Sequence, residues 1–112
     1  MVESDKSVTS IFTKIINREI ASEIIYETNK VIVIKDIFPQ ATIHFLIIPK
    51  FCFKDISDIK EQEMHYLLEM FLAAQHLAIN IENCHDYKLI INNGKKAGQC
   101  IFHLHMHFLS GF

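Results

Sequence analysis

The chain has 112 residues, half of them hydrophobic, no tryptophan and a formal net charge of −2. That length suits one domain around one core, and the charge excludes general DNA or RNA binding, which needs a positive surface. Cys52, Cys84 and Cys100 are too few and too scattered for a disulfide framework or a Cys-x-x-Cys clasp, which points to a reducing cytoplasm; Met1 to Ser10 lacks an apolar signal core and no apolar run reaches about 18 residues, so no membrane span is expected.

Residues 1–9 read as a flexible tail, and residues 10–112 as a single domain. Helical spacing of Phe12, Ile15 and Ile16 predicts a short helix over 12–18. Ser22 to Glu27 is a strand, Thr28 to Lys30 a turn, and the β-branched run Val31 to Ile34 a central strand buried on both faces. Pro39 breaks the pattern. Asp36, a loop acid after that strand, is equally suited to solvent, to capping a turn or to binding a pair of hydroxyls. Ile43 to Ile48 forms the next strand, stopped by Pro49. A lone histidine in such an apolar run, here His44, is more often a satisfied interior residue than a ligand.

Asp58 with Glu61 reads as a capping box that opens one long helix over 58–80. Met64, Leu67, Leu68, Phe71, Gln75, Ala78 and Ile79 then share a stripe that should cover the sheet, with His65 and His76 off it and solvated. After a turn over 83–86, Tyr87 to Ile91 is a strand that enters the turn from Gly94 to Gly98. The elements predict an α+β domain: a five-stranded antiparallel sheet with one long and one short helix.

The chemistry concentrates in the stretch that follows, His103-Leu104-His105-Met106-His107-Phe108-Leu109. On a strand alternate side chains share a face, so the three histidines stand together, their Cα atoms about 6–7 Å apart, with Leu104, Met106 and Phe108 turned to a core. Three imidazoles on one face are costly to bury without a purpose. They suit phosphoryl chemistry, and His-x-His equally supplies two zinc ligands. The glycine-containing turn just before them can offer free N–H groups to an anion, which favours phosphate.

The motif resembles the histidine triad (HIT) superfamily. Ile11 to Ile16, Asp36 to Ala41, Ile47 to Lys50 and Asn92 to Gln99 stand in the order expected of its HINT branch. The resemblance implies a purine nucleotide-binding phosphoramidase or nucleotidyl hydrolase that needs no cofactor and no metal. It implies that His105 attacks the α-phosphorus, His107 faces the phosphate and leaving group, His103 supports the nucleophile, and His44 partners the triad from behind. It further implies that Asn92 and the amides around Gly98, Gln99 and Cys100 hold the phosphate, that Asp36 accepts the ribose hydroxyls, and that Phe12, Ile15, Ile34, Ile37 and Leu46 wall the base and sugar. Related proteins pair as homodimers with one ten-stranded sheet.

The chain departs from the family at Cys100, where serine is usual beside the leaving group, and at Cys52, where many members have histidine. Ser10 and Thr13 replace the Cys-x-x-Cys that binds structural zinc in some members, so zinc is not expected. The chain also ends at Phe112, short of the tail that reaches the partner's site in some relatives. A nucleotide-binding regulatory or scaffold protein with vestigial catalysis is the alternative reading; a zinc hydrolase or a Cys100 hydrolase ranks below it.

Overall fold

A computed structural model describes residues 10–112; the expected tail, 1–9, lies outside the described residues. Helix α1 (Ile11–Ile16) begins at Ser10, whose side chain accepts the Thr13 N–H. One and a half turns cannot persist alone in water, and α1 is held by the burial of Phe12 and Ile15. It stops two residues before the predicted end because Arg18 turns to a left-handed φ of 64°.

Strands β1 (Ile24–Glu27), β2 (Val31–Lys35) and β3 (Ile43–Pro49) form a meander. Helix α2 (His65–Asn80) crosses over to β4 (Tyr87–Ile90), and β5 (Met106–Ser110) closes the sheet. The order is β1-β2-β3-β5-β4, with every neighbour antiparallel. The last strand thus lies inside the sheet, between β3 and β4.

The sheet is buried on both faces. Val31, Val33, Ile47, Met106 and Phe108 pack beneath Met70, Ala73, Ala74 and Leu77 of α2. On the opposite face Ile32, Ile34, Leu46 and Ile48 pack against Phe12 and Ile15 of α1. This explains the unbroken β-branched run of β2. No helix among the described residues is long and apolar enough to cross a membrane.

Four local expectations are corrected. The long helix starts at His65, not 58, because residues 55–63 fold into two 3-10 turns, Ile56–Asp58 and Glu61–Glu63. Asp55 caps the first by accepting the Asp58 N–H at 3.1 Å, and Glu63 closes the second by accepting the Lys60 N–H at 3.0 Å, so the acids act in short turns. The buried face of α2 is the 70/73/74/77 stripe, and most of the predicted stripe faces outward, with Leu68 57% and Ile79 74% exposed. Small alanines let a helix lie close to a sheet, a packing advantage that a ranking by hydrophobicity misses. His76 is not simply solvated: it stacks on Tyr26 with ring centroids 4.0 Å apart. Finally, His103 and His105 precede β5, in irregular chain, and only His107 is on a strand.

Candidate active site

The alternation across 103–108 survives without a regular strand. Leu104, Met106 and Phe108 join the core under α2, while the three histidines turn to the α1 side. Phe12 meets His103 and His105 edge-on, with centroids 5.8 and 5.1 Å away, and the His105 and His107 rings are 5.2 Å apart. Register brings in the fourth histidine. His107 sits opposite Leu46, and His44 is two residues from Leu46 on the same face, a diagonal neighbour across the β3–β5 pair.

Hydrogen-bond partners decide where each ring carries its proton. A carbonyl only accepts and a backbone N–H only donates. The His103 carbonyl lies 2.8 Å from His105 Nδ1, so Nδ1 carries the hydrogen and Nε2 keeps a bare lone pair. The Gln40 N–H donates to His44 Nδ1 at 3.0 Å, so the His44 proton is on Nε2. That group lies 2.9 Å from His107 Nδ1 and 3.3 Å from Asp36 Oδ2. His107 Nδ1 accepts, which leaves its own proton on Nε2. His103 donates from Nε2 to the Pro49 carbonyl at 2.9 Å, and its Nδ1 accepts from Ser10 Oγ at 2.8 Å.

The three triad rings, His103, His105 and His107, are neutral near pH 7. Burial holds His103, His105 and His107 below the ordinary histidine value, and for His107, burial with the neighbouring His105 and His44 brings it to about 4. A buried, neutral imidazole with a free Nε2 is a nucleophile, and one with a free Nε2–H is a donor.

The preceding turn, Lys95–Ala97 between Gly94 and Gly98, is tied from inside. Gln99 is buried; its Oε1 accepts the Gly94 N–H at 2.8 Å and its Nε2 donates to the Lys54 and Ile101 carbonyls. The Gly98 and Gln99 amides donate within the turn to Lys95 and Gly94. Gln99 therefore shapes the turn rather than facing a ligand, and of the amides expected to hold phosphate these two are already engaged. Asn92, half-buried, has its side chain against Gly98. Cys100 is exposed, its thiol 3.5 Å from the Gly98 carbonyl. Asp36 caps its own loop through the Phe38 N–H at 2.8 Å and turns its other oxygen to His44. Ile15, Ile34 and Leu46 are buried beside Phe12, whereas Ile37 is 80% exposed.

Asp36, His44 and His107 place three ligand atoms within 4.8 Å of one another. A metal on His44 Nε2 would shift that ring's proton to Nδ1, against the Gln40 N–H. The set therefore fits a proton-ordered relay better than a cation. Sequence reasoning missed Ser10 and Thr13 as partners of His103. Ser10 followed by Thr13 does carry an N-cap signature, the one signal that locates them.

A HIT domain model matches residues 17–112. The chain belongs to the HIT domain family. The HIT domain here is 39% identical over 102 residues to an uncharacterised HIT-like protein of Synechocystis, covering 91% of this chain and 90% of that one. It is 39% identical over 103 residues to the purine nucleoside phosphoramidase of Escherichia coli K12, covering 91% and 87%. Among solved structures, a HIT family hydrolase from Clostridium thermocellum matches with TM-score 0.89 and 43% identity, over 93% of this chain and 91% of that one. A histidine triad protein from Clostridium difficile matches with TM-score 0.88 and 33% identity, over 92% and 90%.

Proposed function

We propose that this HIT-family hydrolase cleaves purine nucleoside phosphoramidates, or related nucleotidyl conjugates, through a nucleotidyl-histidine intermediate, and releases the nucleoside monophosphate. The observation that carries the reading is the His103 carbonyl on His105 Nδ1, which keeps Nε2 bare beside His107, whose own Nε2 carries a proton to donate.

In the first step His105 Nε2 forms a bond to the α-phosphorus. The P–N bond breaks, and the amine leaves with that electron pair and takes a proton from water. The nucleotidylated ring is a cation, and the His103 carbonyl stabilises it by accepting its Nδ1–H. His107, held as an Nε2–H donor by His44, hydrogen-bonds the charge on the phosphoryl oxygens. In the second step water attacks phosphorus and loses a proton to solvent, and the P–Nε2 pair returns to His105. Asn92 contributes to the phosphate site, Asp36 accepts the ribose hydroxyls, and Phe12, Ile15, Ile34 and Leu46 wall the base and sugar. The purine preference draws on the relative from E. coli, which is named for that activity.

The test is AMP release from an adenosine phosphoramidate. Wild type should release AMP with or without EDTA. His105→Ala should release none while binding AMP within about tenfold, roughly 1.4 kcal/mol. Full activity in that variant overturns the intermediate, and a rate lost to chelator and restored by metal favours zinc chemistry instead.

A further inference from the structure

The nucleophile takes its tautomer from the carbonyl of His103, and that carbonyl lies in chain that belongs to no strand. What fixes it must therefore be side-chain contacts and isolated tethers. One tether is the Leu104 N–H on the Phe53 carbonyl at 2.7 Å. The other is the His103 ring itself, gripped at both ends: Pro49 O takes its Nε2–H, and Ser10 Oγ reaches Nδ1. Ser10 is also the N-cap of α1, accepting the Thr13 N–H at 2.9 Å, with Thr13 Oγ1 3.0 Å from its oxygen and 3.3 Å from Nδ1. One hydroxyl thus joins two jobs, and it connects residues 93 positions apart.

We infer that Ser10 is a positioning residue for the reaction: its hydroxyl, backed by Thr13, orients the His103 ring so that the His103 carbonyl holds the nucleophile His105 with Nε2 bare. The inference rests on the nucleotidyl-histidine reading. A hydroxyl suits the place because it can accept the helix N–H and donate to the ring at once. With His103 Nε2 committed to a carbonyl, the Nδ1 lone pair needs such a donor. Loss of the hydroxyl leaves the ring held by the Pro49 carbonyl and the longer Thr13 contact, which loosens its orientation and with it the carbonyl, and a displacement of about 1 Å in a reacting group slows a step by about a hundredfold.

The informative variant is Ser10→Gly, because glycine is nearly as good an N-cap as serine yet removes the shorter of the two hydroxyl contacts to His103 Nδ1. Ser10→Thr restores the hydroxyl, and Ser10→Gly with Thr13→Val removes both. Three quantities are read: the rate of nucleotidyl-enzyme formation in a single turnover, the Kd for AMP, and imidazole tautomers by long-range 1H–15N NMR. Ser10→Gly should slow nucleotidylation roughly ten- to a hundredfold with the AMP Kd unchanged within about twofold, the double variant should be slower still, and Ser10→Thr should restore the rate. The His105 ring should change from one tautomer, protonated at Nδ1, to a mixture. A wild-type rate in Ser10→Gly overturns the inference, as does a parallel loss of rate and AMP affinity, which marks a merely structural cap. If wild type itself forms no adduct, the parent reading fails, and the NMR result still decides: an unchanged His105 tautomer in Ser10→Gly overturns the positioning role.

Discussion

His105 presents a bare Nε2 because a carbonyl two residues earlier holds the proton on Nδ1, and His107 is a donor because Gln40 and His44 order the protons behind it. The pH dependence follows with a definite sign. Burial lowers the pKa of His103, His105 and His107 in the folded protein, so the unfolded chain binds protons first as pH falls. Stability contributed by the neutral rings is complete above the unfolded value of about 6.5 and is lost as pH drops through it toward about 4 for His107. Urea midpoints should fall steadily from pH 7 to pH 5, and less steeply in His107→Asn; a flat profile contradicts the depressed values. The same shift puts the acid limb of kcat/KM below pH 6.5, so an acid limb centred above pH 7 contradicts a neutral, buried nucleophile. Cys100→Ser tests the departure from the family pattern. A hydroxyl is the better donor, worth about 0.5–1.5 kcal/mol in the transition state. The variant should raise kcat/KM severalfold on poor amine leaving groups and less on activated ones, and an equal response on both separates Cys100 from the leaving group. Because Cys52 is also exposed, alkylation belongs in a Cys52→Ser background, where AMP should protect Cys100.

At the scale of elements, α2 has two apolar faces with different fates. Leu77 is fully buried under the helix and Leu68 is 57% exposed. Leu77→Ala should lower stability by about 2–5 kcal/mol. Leu68→Ala should change it by less than about 1 kcal/mol, measured by urea unfolding, and comparable losses would contradict this packing. Helical spacing picked out only the outer stripe, because hydrophobicity ranks Leu68, Phe71 and Ile79 above Ala73 and Ala74. What selects the alanine face is how closely the helix approaches β2 and β3, which only tertiary packing specifies. The strands were more legible, because the β-branched run of β2 and the prolines bounding β3 state their own limits. The start of α2 was not, since acids that suit a capping box also suit the 3-10 turns they form here. Among site residues, the histidine alternation was visible in the one-letter string. The groups that set the tautomers were not, because the Gln40 N–H and the Pro49 and His103 carbonyls are backbone and have no sequence signature.

For the whole molecule, we propose that the outward stripe of α2 pairs with a second copy. Leu68, Phe71 and Leu72 are 57%, 45% and 46% exposed, a contiguous apolar surface of the kind that marks an interface. A symmetric homodimer should scatter light as twice the 13.0 kDa chain at micromolar concentration. Leu68→Lys with Phe71→Glu should return it to monomer, and a wild-type monomer at that concentration refutes the pairing. The placement of β5 between β3 and β4 bears on how such a chain is made. Synthesis runs from the N-terminus, so the β1–β2–β3 meander emerges with the edge of β3 unpaired, and β4 follows with no neighbour at all. Until β5 arrives, Ile43 to Ile48 presents an apolar strand edge to the crowded cell, the condition under which strands recruit one another. The last strand to appear therefore removes an aggregation hazard in the same event that completes the histidine cluster, and a nascent chain stalled before it should depend on chaperones that bind extended apolar segments.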